Sequence, residues 1–174
     1  DEFRDVGVRD SMNIFAVGRD NNNVRLMWRT NDGGVSWERI SSGGPFIRAI
    51  DFVDTLYGWI GGIGGIEIQI RRTTDGGSNW NWVGEVVDTV LSGFHDLDFV
   101  DRDKGWLCDV VGLAADDRVI WGYIYHTTDG GASWEKQKDT GPQYGISMWD
   151  SLMGYSCGKD GLLSTMDGSN WEHQ

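Results

Sequence analysis

Four aspartates, Asp32, Asp75, Asp129 and Asp167, stand in one recurring context, and their chemistry is the first question the sequence raises. The octet Thr30-Asn31-Asp32-Gly33-Gly34-Val35-Ser36-Trp37 returns as Thr73-Thr74-Asp75-Gly76-Gly77-Ser78-Asn79-Trp80 and as Thr127-Thr128-Asp129-Gly130-Gly131-Ala132-Ser133-Trp134. A shortened copy reads Thr165-Met166-Asp167-Gly168-Ser169-Asn170-Trp171. A carboxylate can serve as acid, base or nucleophile, or it can accept backbone N–H bonds and pin a turn. The surroundings favour the turn: Thr offers a hydroxyl to the same bend, Gly admits positive φ, and Trp brings a large apolar body to pack beneath or between hairpins.

Other candidates for chemistry are weaker. His95-Asp96 has the types of an acid/base pair, but neighbours on a strand point to opposite faces, and His126 precedes the third octet without a nucleophile context. No Gly-x-Ser-x-Gly elbow, HExxH, CxxC pair or calcium-loop spacing occurs. With 27 acidic residues, a pair of carboxylates at glycosidase separation can always be found, so that criterion discriminates nothing. No catalytic residue, metal ligand or cofactor is assigned.

The elements that must position these residues follow from composition. The chain has 174 residues, a soft prior for one domain spanning 1–174, and a formal net charge of −12. So acidic a surface disfavours nucleic acid and anionic membrane surfaces, and no apolar run approaches a bilayer span. The chain opens Asp1-Glu2-Phe3-Arg4 without Met, as a processed or excised N-terminus would. Twenty-six Gly, two Pro and ten Trp, with no sustained 3.6-residue periodicity, point to short strands joined by tight turns. The expectation is all-β.

The repeats define the architecture. Upstream of each octet lies an alternating run ending in Asp10, Asp54, Asp101 or Asp150. Five residues later stand Phe15, Trp59, Trp106 and Tyr155, and three further come Gly18, Gly62, Asp109 and Gly158. Each unit reads as four strands: the run before the Asp, one beginning at the aromatic, one running into the Thr and one starting at the octet Trp. Four antiparallel strands in about 40 residues is the size of a β-propeller blade. Four blades are expected, at approximately 4–42, 46–84, 94–138 and 143–174.

The units differ most in their loops, where binding residues usually lie: Asn21-Asn22-Asn23, the glycine-rich Gly61–Gly65, the linker from Gly84 to Gly93, and an insertion from Gly112 to Arg118 containing Asp116 and Asp117. Cys108 and Cys157 share one repeat position, where a small buried role is expected and a disulfide between neighbouring blades is not.

The octets match the Asp-box pattern, Ser/Thr-x-Asp-x-Gly-x-x-Trp, of BNR repeats. With Asp54-Thr55-Leu56-Tyr57-Gly58-Trp59 and Asp101-Arg102-Asp103-Lys104-Gly105-Trp106 ahead of them, the units most resemble the photosystem II assembly factor type of repeat, which also occurs in secreted bacterial proteins. The resemblance implies a propeller with Asp-box positions Thr30, Asp32, Gly34 and Trp37; Thr73, Asp75, Gly77 and Trp80; Thr127, Asp129, Gly131 and Trp134; and Thr165, Asp167 and Trp171. Family propellers typically carry more than four blades. A sialidase-type site would require an arginine triad, and Arg4, Arg29, Arg71 and Arg72 are the candidates; the last three sit beside octets and read as strand ends or salt-bridge partners.

The resulting expectation is a non-catalytic binding or assembly module in an extracytoplasmic space (secreted, periplasmic or thylakoid lumen), with a protein partner whose positive charge would suit the acidic surface. The alternative is a glycan-binding or glycoside hydrolase (sialidase-like) propeller fragment. Open blade faces at either end of the arc would also allow self-association.

Overall fold

The computed structural model describes residues 2–22, 24–40, 46–65, 67–87, 92–112, 120–159 and 161–174, and every regular element among them is a strand. Most of the insertion after Gly112, with Asp116 and Asp117, lies outside the described residues, as do Asn23 and 88–91 of the linker before the third unit.

Four antiparallel sheets follow the chain in order. The first is β1 (Glu2–Val8), β2 (Ile14–Arg19), β3 (Arg25–Thr30) and β4 (Glu38–Ile40); the second is β5 (Phe46–Phe52), β6 (Gly58–Ile63), β7 (Glu67–Thr73) and β8 (Asn81–Val87). The third comprises β9 (Ser92–Phe99), β10 (Gly105–Gly112), β11 (Ile120–Thr127) and β12 (Glu135–Thr140), and the fourth β13 (Gln143–Met148), β14 (Gly154–Gly158), β15 (Gly161–Thr165) and β16 (Trp171–His173). Among the described residues, strands pair only with their chain neighbours, as successive hairpins dictate.

The first strands stand side by side: β1 packs beside β5, β5 beside β9 and β9 beside β13. No comparable packing joins the fourth sheet to the first among the described residues. The arrangement is an open arc.

The core lies between sheets. Phe15, Val17 and Met27 of the first sheet pack with Ile47, Ile50, Ile60 and Trp80 of the second. Trp59 and Ile70 meet Phe94, Leu97, Phe99 and Leu107, and Trp106, Cys108 and Ile124 meet Ile146, Met148, Leu163 and Trp171. A single sheet has no partner for its apolar face, so each depends on its neighbour, as repeat architectures require.

One irregularity is shared by all four sheets. Near the start of each first strand the register slips by one residue, leaving Arg4, Arg48, His95 and Tyr144 as bulges. Opposite three of them sit Gly18, Gly62 and Gly158, where any Cβ would collide with the backbone carbonyl of Glu2, Phe46 or Pro142. The third sheet has Asp109 there instead; it is fully buried, and its Oδ1 accepts the Tyr123 N–H at 2.7 Å.

Candidate functional site

The octet aspartates are consumed by their own turns. Thr30 Oγ1 donates to Asp32 Oδ1 at 2.7 Å and accepts the Gly34 N–H at 2.9 Å, while Ser36 donates to Asp32 from N–H and hydroxyl. Thr73, Asp75, Gly77 and Asn79 repeat the pattern, as do Thr127, Asp129, Gly131 and Ser133. In the shortened copy Thr165 bonds Asp167, which accepts the Ser169 and Asn170 N–H groups. Donors hold these carboxyls below the usual range; Asp32 is brought to about 2, first by the Ser36 hydroxyl. Gly34, Gly77 and Gly131 have φ of 94°, 88° and 90°, a conformation that L side chains resist.

The octet tryptophans differ with position. Trp80 and Trp171 are buried and Trp134 half-buried, but Trp37, in the octet of the first of the four described sheets, is exposed. Trp80 sets its ring edge-on to Phe15 of the preceding sheet. Trp59 Nε1 donates to Gly130 O at 2.9 Å and Trp106 Nε1 to Gly168 O at 3.0 Å, each reaching the next octet. Tyr155 holds the equivalent place in the fourth sheet and is exposed. Cys157 is likewise exposed, unlike buried Cys108: the small buried role expected of both thiols holds for one.

A second set of aspartates, which sequence reasoning missed, joins the first strands to one another. Asp5 Oδ2 accepts the Ile50 N–H and Asp51 Oδ2 the Phe99 N–H, both at 2.8 Å. Asp96 accepts from Ile146 and Asp98 from Met148. Burial outweighs these bonds and raises the carboxyls of Asp51, Asp96 and Asp98 to about 6. In the fourth sheet the same two positions are Gly145 and Ser147, so this series of carboxylates stops there.

The two ends of the first strands carry opposite charge. At the start, the bulged Arg4 and Arg48 join Arg19, Gly18, Phe46, Ile47 and Ile63 around a cleft of about 300 Å³. Glu2 bridges both Arg4 and Arg19 at 2.7 Å, so two of the three guanidinium groups around the cleft share one carboxylate. Arg48 makes no salt bridge among the described residues; its Nη1 donates to Phe94 O at 3.1 Å, and burial followed by repulsion from Arg4 lowers its pKa. Arg25 lies over the Phe46 ring at 5.6 Å. Beyond Arg48 the series continues with His95, edge-on to Tyr144 at 5.1 Å.

At the other end an open polar cleft of about 480 Å³ is lined by Asp51, Asp98, Asp101 and Asp150 with exposed Trp149. Asp10, Asp54, Asp101 and Asp150 cap the turns there, each accepting two N–H bonds from residues two and three positions on. Among the described residues, no group of three or more His, Cys, Asp or Glu is placed to hold a metal ion, and no helix is long and apolar enough to cross a membrane. His126 stacks on Trp106 and is paired across the sheet with Glu135. Arg29 bridges Glu38 and Arg71 donates to Trp80 O, and neither of them nor Arg72 lines the cleft that holds Arg4.

Comparison with known proteins bears on what such an arc can be. A photosystem II assembly lipoprotein, Ycf48 of Synechococcus sp. (strain CC9902), is 31% identical over 137 residues, 75% of this chain and 35% of the relative. The chain is similar to a photosystem II assembly protein. It spans about a third of that relative's length. Among solved structures, YCF48 bound to D1 peptide superposes with a TM-score of 0.68 at 20% identity, over 98% of this chain and 52% of that one. An ancestral GH74 enzyme gives 0.71 at 13% identity, over 99% and 24%. The fold is that of β-propeller blades: all-β, four four-stranded antiparallel sheets. No protein-family model matches the chain.

Proposed function

We propose that this chain is a non-catalytic binding and assembly module that holds an acidic segment of a protein partner in the cleft between its first two blades. The observation that carries this reading is the imbalance of three arginines against Glu2 in a protein of net charge −12. Arginine forks match carboxylate geometry, and Arg48 is already half-desolvated and short of a carboxylate. Meanwhile the aspartates of the octets and of the first strands are bonded within turns or across blades. Net charge alone favours a basic partner, but a ligand meets the local field of a cleft, and here that field is positive.

Similarity to Ycf48 supports the assembly role and an extracytoplasmic location, and a solved YCF48 carries a D1 peptide. Exposed Trp37 and Tyr155 on the first and fourth blades would suit self-association as well.

The glycan reading has one observation in its favour: Asp51 and Asp98 line the opposite cleft beside exposed Trp149, with carboxyls raised into the range of a general acid. Both are, however, bonded to the next blade. Fluorescence anisotropy with labelled glutamate-rich and lysine-rich decapeptides, together with turnover of xyloglucan oligosaccharides, separates these readings. Binding of the acidic peptide alone, weakened at least tenfold by Arg48→Glu and without turnover, is the expected result. Preference for the lysine peptide, indifference to Arg48→Glu, or turnover would overturn it.

A further inference from the structure

We propose that His95 and Tyr144 form the uncharged half of the arginine site and receive an aromatic or aliphatic side chain of the same bound acidic segment. The inference rests on the reading of the cleft given above and extends it to the third and fourth blades. Aligned on the landmark aspartates, Arg4, Arg48, His95 and Tyr144 each fall six residues before Asp10, Asp54, Asp101 and Asp150. All four are bulged residues at the same end of the first strands, and a bulge re-aims its side chain out of the pleat. One repeat position therefore presents Arg, Arg, His and Tyr in succession along the arc.

The two halves are physically joined. Arg48 Nη1 donates to the carbonyl of Phe94, the residue before His95, so the guanidinium stands at the start of the third blade. His95 lies edge-on to Tyr144 with ring planes at 66°. Burial, with Arg48 and Arg4 nearby, pushes the His95 pKa down to about 4, so the ring is uncharged at neutral pH and adds no positive charge to the arginine series. Tyr144 is 50% exposed, which leaves ring surface for a ligand.

Its mounting is rigid. Gln143 beneath it is fully buried, accepts the Ser156 hydroxyl at 2.9 Å and donates to Thr140 Oγ1 and Gly141 O. A preorganised aromatic surface loses little entropy on binding, which favours an aromatic or aliphatic group over a second anion.

The test uses fluorescein-labelled peptides with three glutamates at one end and a single Phe or Ala placed two to six residues away. At one or two spacings the Phe peptide should bind about two- to tenfold more tightly than its Ala twin. That gain should vanish in Tyr144→Ala, survive in Tyr144→Phe, and leave the affinity of the Ala peptide unchanged. Equal binding of Phe and Ala peptides at every spacing, or equal weakening of both by Tyr144→Ala, would overturn the inference while leaving the arginine cleft intact. Failure of every peptide to bind would remove the cleft reading and this one with it.

Discussion

Asp51 Oδ2 accepts the Phe99 N–H across 2.8 Å, and through that bond the first strand of the second blade holds the first strand of the third. The same carboxylate accepts the Phe52 N–H on its other oxygen, so both of its oxygens are engaged. Replacing Asp51 by Ala strands the Phe99 N–H between blades. A buried donor left without a partner costs about 1–3 kcal/mol. Urea unfolding of Asp51→Ala should show a loss of that size; an unchanged midpoint would mean that water serves the donor as well.

These interblade carboxyls also dictate how stability varies with pH. Asp51, Asp96 and Asp98 titrate near 6 in the fold because they are buried, against an ordinary value near 3.8. Between those values the folded chain keeps protons that the unfolded chain has released, so stability falls as pH rises through the window. The octet carboxyls act oppositely: Asp32 is depressed to about 2 and Asp75 is lowered, chiefly by Ser36 and Asn79 side chains, and their contribution is lost as pH falls below 4. Thermal midpoints should therefore peak between about pH 4 and 5. Asp98→Asn keeps an acceptor for Met148 N and removes one titration, so it should flatten the decline from pH 4 to 6. A decline of equal steepness would assign it to other groups.

Much of this architecture is legible in the sequence, because Asp-box turns are local: Thr30, Asp32 and Gly34 interact within five residues, and the pattern recurs at every copy. The interblade aspartates are not, since Asp51 and Phe99 are 48 residues apart and the role alternates between two strand positions, Asp5 and Asp96 at one, Asp51 and Asp98 at the other. The arginine cleft escaped for a different reason. Strict alternation assigns Arg4 and Arg48 to ordinary strand positions, and only the bulges bring them together. Stacking the four units on their landmark aspartates exposes the column of Arg4, Arg48, His95 and Tyr144, which is the signal that could have found it.

Thr73 measures how much each turn depends on its hydroxyl. It is fully buried, donates to Asp75 and accepts the Gly77 N–H at 2.8 Å. Thr73→Val preserves volume but leaves that N–H facing a methyl group, at a cost of about 1–3 kcal/mol. Denaturant unfolding should report it; neutrality would show that the backbone of the turn is self-sufficient.

Trp106 and Tyr155 occupy one repeat position in opposite circumstances. Trp106 is 1% exposed and bonds the next octet through Gly168 O, whereas Tyr155 is 51% exposed. Trp106→Ala should cost about 3–5 kcal/mol, the range for a large aromatic removed from a core. Tyr155→Ala should fall within about 0.5 kcal/mol of the parent at low protein concentration. If Tyr155→Ala proves costly only as concentration rises, the open face of the fourth blade is an association surface, and sedimentation of the two proteins will show it directly.

Glu2 is the internal competitor of whatever anion enters the arginine cleft. It bridges Arg4 and Arg19, and its pKa is lowered first by the Arg19 hydrogen bond, so an incoming carboxylate must displace it or share its partners. Glu2→Gln removes the competing charge but keeps the size of the side chain. Because exposed bridges of this kind are weak, affinity for a glutamate-rich peptide should rise by at most about fivefold. The gain should shrink with added salt, as screening weakens attraction and competition alike. A loss of affinity in Glu2→Gln would mean that Glu2 orients the guanidiniums for the ligand, and the cleft would then be a site assembled by its own acid.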